Sequence, residues 1–310
     1  KSSDPVNVNT PKNCLSFWCC TNSRFSTSEL TVITAVDHKK LNDRGKVKQM
    51  ASRCQNILDF AVNSEPKVQI ISGISACLNN KRSCCWLACI NPHSYAEARK
   101  DNTFATALQS ANWLVPDGIG IVIAGYFLKR PIAERITGAD IFEGVMAQLN
   151  ASGGSVFFLG GTEKALKLIR TRVANDYPEI HVAGTFSPAF KTAYSDAEND
   201  EMIELINSSG ADVLWVGMTA PKQEMWVFSN QNRLEVSFTG AIGAVFDFYS
   251  GQVRRSHPIF RNLGLEWLPR LLQQPRRLWR RMFVSAPIFL FDVLRARIAM
   301  MRSDSAASQD

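Results

Sequence analysis

Between residues 84 and 248 the chain repeats one pattern: a short apolar run, a turn of Gly, Pro, Asn or Asp, then a longer stretch of helical periodicity. Strand-like runs at 84–90, 111–115, 156–159, 181–185, 213–216 and 235–238 alternate with helical stretches at 95–109, 119–128, 140–149, 163–176, 196–208 and 222–232, and Gly240 to Phe248 closes the series. A strand that is apolar at nearly every position hides both faces, and strands alternating with helices need crossover connections. The pattern therefore predicts an α/β fold: a Rossmann-like, mainly parallel sheet with helices on both faces and right-handed crossovers. It occupies about residues 44–255. Upstream, 44–62 and 66–79 carry helix-like apolar spacing, with Ser64 and Pro66 between them. Residues 1–43, rich in Ser, Thr and Asn, hold no period and read either as a disordered leader or as an extra docking strand or helix.

In a parallel sheet the carboxyl ends of the strands share one edge, and ligands of open α/β sheets bind there. The loops on that edge carry Asn91, Asp117, Gly160-Gly161-Thr162 and the stretch from Gly217 to Glu224, with Gly240 to Asp247 close by. The turn at Asp117 is the richest in chemistry. Pro116 ends the preceding run because it has no N–H for a ladder. Asp117 then stands beside Gly118 and Gly120, which allow close backbone approach, and the following helix aims its N–H groups at the same place. A plain Asp-Gly turn accounts for the local pattern as well. Gly160-Gly161 falls short of the dinucleotide and P-loop fingerprints. Gln223 and Glu224 open a helix, where the dipole favours a carboxylate anyway.

Charge divides the chain. From Arg254 to Arg302 there are eleven arginines, no lysine and two acids, Glu266 and Asp292, whereas the whole chain has a net charge of +7. The remainder is thus slightly acidic. Pro258, Pro269, Pro275 and Pro287 cut this basic part into short pieces in which Trp, Leu and Phe mix with Arg. That is the pattern of a helical appendage lying in a membrane interface, over 256–302, with a Ser-rich tail at 303–310. A basic appendage with a solvated face is the plainer alternative. No apolar run reaches the roughly 18–20 residues of a spanning helix, and no secretory signal pattern is present.

All eight cysteines precede residue 90 and lack zinc-like spacing, so they read as reduced, packing thiols of a cytosolic protein. His93, His181 and His257 show no triad or metal spacing. No Asp-x-Asp ends a strand, so a metal-held diphosphate is not indicated. No Gly-x-Gly-x-x-Gly follows a first strand, which argues against nicotinamide chemistry in an otherwise similar nucleotide-using enzyme. The arginine-rich segment could bind nucleic acid by stacking Trp and Phe on bases, but the apolar stretch 287–294 suits lipid better.

Taken together the motifs are specific. They are Asn91-Pro92, Pro116-Asp117-Gly118-Ile119-Gly120, Arg135-Ile136-Thr137-Gly138-Ala139-Asp140 and Phe158-Leu159-Gly160-Gly161. Pro221-Lys222-Gln223-Glu224-Met225-Trp226 follows, then Gly240 to Phe248 with Gly251, and Gly264-Leu265-Glu266-Trp267 with Arg270. In order and spacing, residues 84–284 resemble the WecG/TagA/CpsF glycosyltransferase family, whose members extend lipid-linked glycans in bacteria; residues 1–60 do not follow the pattern. The resemblance implies inverting, metal-independent transfer of a hexose, of glucose or N-acetylmannosamine type, from a UDP-sugar to an undecaprenyl-diphosphate-linked saccharide. The product belongs to exopolysaccharide or another cell-surface glycan, and no cofactor is implied. Asp117 would be the general base. Arg135 would meet the leaving diphosphate, with Arg254, Arg255, Arg261 and Arg270 as further phosphate ligands. Gly118, Gly120, Gly138 and Asp140 would border the substrates, and Asn91 and Thr137 would hold their hydroxyls. Gly160, Gly161, Gln223, Glu224 and Asp247 would line the nucleotide pocket. The protein would work peripherally at the cytoplasmic face of the inner membrane, on an anionic surface, without nucleic acid, as a monomer or a homo-oligomer.

Overall fold

Every recorded strand pairing in the main sheet is parallel. The computed structural model describes residues 54–79, 84–253 and 279–307. From Gln55 onward these belong to one unit, and Cys54 closes a first unit, 1–54. The leader, Arg254, Arg255, Arg261 and Arg270 lie outside the described residues.

A hairpin, β1 (Cys54–Ile57) and β2 (Phe60–Asn63), leads into helix α1 (Lys67–Leu78). The main sheet begins with β3 (Cys85–Ile90), followed by α2 (Pro92–Ala98) and α3 (Asn102–Ser110), then β4 (Trp113–Pro116). Helices α4 (Ile119–Phe127) and α5 (Gly138–Ser152) lead to β5 (Ser155–Gly160), α6 (Glu163–Asp176) and β6 (His181–Phe186). After α7 (Asp196–Ser208) come β7 (Val213–Gly217), α8 (Lys222–Asn230), β8 (Phe238–Ala241) and α9 (Val245–Tyr249). A π-helical turn, Arg281–Ser285, precedes the last helix, α10 (Ala286–Ala307). Pro287 cannot return an N–H to the preceding turn, which fits the widening there.

The sheet order is β4-β3-β8-β7-β5-β6. Alternate residues of each strand supply two cores, which is why the runs are apolar throughout. Trp86, Ala88, Ile90, Leu214 and Val216 face one layer, with residues of α2, α3, α4, α7, α8 and α10. Leu87, Val156, Phe158, Val213, Trp215 and Phe238 face the other, with α1, α5, α6 and α9. The crossover from β3 to β4 lies on the first layer and that from β5 to β6 on the second. β8 returns to pair with β3 in register Leu87↔Gly240. The crevices between loops leaving toward opposite layers therefore open beside β3, β8 and β7.

Three elements differ from the sequence reading. The helix-like spacing before residue 63 belongs in part to the hairpin: Leu58 and Asp59 both have positive φ, 49° and 71°. No Gly or Asn marks that turn, and β2 follows a period of two, with Phe60 and Val62 buried and Ala61 exposed. The stretch 95–109 is two helices, because Asp101 accepts N–H bonds from Thr103 and Phe104 at 2.9 and 3.2 Å and starts a new one. The last strand is Phe238–Ala241, not 235–238. Register with β7, Val213↔Phe238 to Val216↔Ala241, selects those residues. Among the described residues no helix is long and apolar enough to cross a membrane.

Candidate active site

Asp117 is positioned by the sheet. Its N–H donates to the Ile90 carbonyl at 2.8 Å, which extends the β3–β4 ladder by one step beyond Ile90↔Pro116. Gly118 then turns the chain with φ +106°, a conformation that side chains rarely adopt. A Cβ there would lie 4.0 Å from the Asn91 Cβ, so the two turns are neighbours. Gly120 answers to packing: a Cβ would come within 2.8 Å of Pro92 Cγ. The Ile136 N–H donates to the Pro116 carbonyl at 3.0 Å, which holds the segment carrying Arg135 alongside the Asp117 corner.

Two of the expected substrate ligands have their acceptors committed to helix starts. Asn91 Oδ1 accepts from the N–H groups of His93 and Ser94, both at 3.0 Å, so a ligand contact falls to its Nδ2 amide. Thr137 caps α5. Its Oγ1 accepts from Asp140 N at 3.2 Å, and its own hydroxyl and N–H donate to Asp140 Oδ2 at 2.6 and 2.9 Å. Thr137 and Asp140 thus satisfy each other, and Lys67 Nζ stands 3.8 Å from the other Asp140 oxygen. Gly138 is packed against Ile242.

On the far side of the crevice, Gly160 ends β5 in register with Gly217 of β7. The Gly161 carbonyl accepts from Ser187 Oγ at 2.7 Å, and a Cβ on Gly161 would lie 3.3 Å from Phe246. Asp247 is half-buried on the short α9. Gln223 and Glu224, in the first turn of α8, are 5% and 2% exposed. Gln223 Nε2 donates to Glu224 Oε1 at 2.8 Å. Gln223 Oε1 and Glu224 Oε2 are buried with no hydrogen-bond partner among the described residues. Burial pushes the Glu224 carboxyl up to about 7, against the opposing Gln223 amide and its own N–H. Buried polar atoms are nearly always paired, so two open oxygens at a sheet edge mark a place for a ligand or water.

The sequence did not single out Cys89, and of the C-terminal segment, which it joined to the site through Arg254, Arg255, Arg261 and Arg270, it did not single out Arg281. Cys89, at the end of β3, is held well above its ordinary range by burial and then by the charges of Asp117, Glu224 and Asp140, with the Gly138 N–H opposing. Cys89 sits one residue before Ile90, whose carbonyl holds the Asp117 N–H, so the thiol and the Asp117 corner share one end of the β3–β4 pair. His93 Nδ1 lies 2.9 Å from Ser285 Oγ. Burial lowers His93 first, then the positive charge of Arg281. Tyr95 donates to Asp292 at 3.0 Å, Arg99 pairs with Asp292 at 2.9 Å, and Phe289 meets the Tyr95 ring edge-on at 5.3 Å. These contacts seat the C-terminal segment on α2, directly after Asn91, and bring Arg281 to the site's border. Arginine is common enough in 254–302 that nothing in the sequence marks this one.

The described residues contain no cluster of three or more His, Cys, Asp or Glu arranged as a metal site. The described cysteines are free thiols, with Cys77 Sγ 2.8 Å from Cys85 Sγ.

Comparison with known proteins adds chemistry to this geometry. A family model of the glycosyl transferase WecG/TagA/CpsF family matches residues 55–303. An N-acetylglucosaminyldiphosphoundecaprenol N-acetyl-beta-D-mannosaminyltransferase of Bacillus spizizenii is 30% identical over 249 residues, covering 79% of this chain and 92% of that protein. A protein of the same description from Staphylococcus aureus is 27% identical over 243 residues, covering 78% and 92%.

Proposed function

The chain belongs to the WecG/TagA/CpsF glycosyltransferase family, and from that premise we propose that it moves a hexosyl group from a UDP-sugar to a hydroxyl of an undecaprenyl-diphosphate-linked saccharide. The relatives' names supply the acceptor class and make N-acetylmannosamine the first sugar to test, with glucose second. The observation that carries the reading is the Asp117 corner, held beside the end of β3 by the Ile90 carbonyl, on a sheet edge that also presents two buried oxygens with no partner among the described residues.

In this reading the acceptor hydroxyl attacks the anomeric carbon of the donor. Its proton passes to the Asp117 carboxylate, the bond from the anomeric carbon to the diphosphate oxygen breaks, and UDP departs. One displacement inverts the anomeric centre. General-base catalysis of this kind is typically worth about 10²–10⁴-fold. The charge that grows on UDP is met by guanidinium groups. Arg135 lies beside the Asp117 corner, Arg281 stands at the border, and the arginines of 254–278 are further candidates. Gln223 Oε1 and Glu224 Oε2 take hydrogen bonds of the nucleotide-sugar. Thr137 and Asp140 act one step back, fixing the start of α5. The basic C-terminal segment holds the enzyme peripherally on the membrane that carries the acceptor.

The test is a donor screen: a panel of UDP-sugars offered with a short-chain lipid diphosphate saccharide, product detected by mass. Transfer from one UDP-hexose is the expected result. Absence of transfer from every UDP-sugar, with another nucleotide-sugar accepted, would overturn the donor assignment.

A further inference from the structure

Large apolar side chains exposed to solvent are concentrated in two places. Four lie on α4: Ile119, Ile123, Tyr126 and Phe127, the last two 81% and 56% exposed. Eight lie between Trp279 and Met301, among them Phe283, Leu290, Phe291 and Leu294. Only Val68, Leu168, Phe190 and Leu205 complete the set among the described residues. The two places adjoin: α10 packs on α4, and Phe289 Cε1 lies 4.0 Å from where a Cβ of Gly120 would stand. On α10 the buried residues Phe289 and Val293 hold the helix to the body, while Leu290, Phe291, Leu294 and Ile298 fall on its outer side at helical spacing. A soluble monomer rarely presents so much contiguous apolar surface without a partner.

Charge decides which partner. Helix α4 contains no ionisable carboxylate, and in 279–303 the one acid is Asp292, whose side chain is 11% exposed and turned inward to Tyr95 and Arg99. Lys129, Arg280, Arg295 and Arg302 are exposed around the apolar face. A second copy would set Arg280 and Arg295 against their own counterparts, and the only other acid of α10, Asp304, stands near its far end. A surface of lipid phosphates complements both the cations and the apolar stripe.

We propose that α4 joins the C-terminal segment in a two-helix seat on an anionic bilayer, so that the helix leaving the Asp117 turn is itself embedded at the level of the lipid phosphates. Only Gly118 separates Asp117 from α4. Embedding this nine-residue helix, about 13 Å long, therefore sets the depth of the carboxylate relative to the membrane. The seat deepens the glycosyltransferase reading and rests on it for its purpose, which is to bring Asp117 to a hydroxyl carried on a lipid diphosphate.

The experiment uses the full chain in vesicle flotation, with vesicles of phosphatidylcholine alone or mixed with phosphatidylglycerol, and in sedimentation velocity without vesicles. Ile123→Glu with Phe127→Glu on α4 is compared with Leu294→Glu on α10 and with Val68→Glu as a control for an added surface charge. All four sites are exposed, so unchanged melting temperatures are expected. The wild type should float with the anionic vesicles. The α4 double variant should lose partitioning by about ten-fold or more, as should Leu294→Glu, while Val68→Glu floats normally. With a lipid-linked acceptor in vesicles the α4 variant should be slow, and with a short, water-soluble acceptor it should match wild type. An α4 variant that floats like wild type would overturn the seat. So would a wild-type dimer that the α4 substitutions make monomeric while flotation persists, because the face would then belong to a second copy. Flotation without transfer from any UDP-sugar would instead sink the catalytic reading and leave the seat standing.

Discussion

Two helices begin on the same edge of the sheet with an acid at the same position, the third residue of the first turn, and meet opposite fates. In α5 that acid is Asp140, which takes the hydroxyl and N–H of Thr137 on one oxygen and faces Lys67 with the other. In α8 it is Glu224, which follows Pro221 with no side-chain cap. Glu224 has Gln223 on one oxygen and no described residue on the other. Both positions suit the helix dipole. The first start is complete in itself and serves the fold. The second leaves a buried oxygen open, which costs stability and is retained where a ligand completes it. Burial together with partner count, rather than residue type, separates the two roles.

The strongest way to calibrate this contrast is the turn that neither helix start contains. Asp117→Asn keeps the shape and removes the base, so kcat should fall by about 10²–10⁴-fold while UDP binding by calorimetry is retained. Turnover near wild type would remove Asp117 from the chemistry and turn the search to Asp140, Glu224 and Asp247.

Glu224 supplies the next largest effect, through pH. Its folded-state pKa of about 7 lies above the ordinary 4.5, so the folded protein holds its proton more tightly than the unfolded chain does. Its contribution to stability is then complete below about pH 4.5 and is lost as pH rises through about 7, with a span on the order of 3 kcal/mol at 1.36 kcal/mol per pKa unit. The urea midpoint of the wild type should therefore fall between pH 5 and 8, and Glu224→Gln should remove that part of the fall. Parallel curves for the two proteins would mean that Glu224 is ionised and paired after all, and the contrast with Asp140 would collapse.

Thr137→Ala asks the converse question at smaller scale. Loss of an N-cap costs about 1 kcal/mol, and if Thr137 only builds α5, kcat/KM should stay within about two-fold of wild type. A large loss of kcat/KM at unchanged stability would move Thr137 from the fold to the substrate. The smallest effect is expected from chelation: EDTA should change the rate by less than about two-fold if guanidinium groups alone meet the departing diphosphate. A strict magnesium requirement would reassign that task.

The places where pattern and structure agree are those with local punctuation. Helices α6 and α7 begin after Thr162 and Ser195, whose hydroxyls accept the N–H groups of Ala165 and Glu198, so both starts are written in the chain. The places of disagreement lack such marks. The hairpin turn at Leu58-Asp59 carries neither Gly nor Asn, and nothing local distinguishes Glu235–Phe238 from Phe238–Ala241 as the strand. The site divides in the same way. Asp117 could be picked out because Pro116 and Gly118 bracket it at a strand end. Cys89 read as one apolar residue in a run, Glu224 by its local pattern alone as a dipole-favoured acid opening a helix, and Arg281 as one arginine among eleven.

By itself, then, the sequence determined what short-range physics can settle. It set the alternation that demands a parallel sheet, the caps, the turn at Asp117, and the edge on which the loops had to meet. Tertiary structure alone decided which polar groups on that edge are satisfied and which remain open, and which apolar side chains of α4 and α10 stay uncovered. The reason is that burial and hydrogen-bond pairing depend on residues brought from afar: Lys67 and Thr137 reach Asp140, Tyr95 and Arg99 reach Asp292, and no described group reaches Glu224 Oε2.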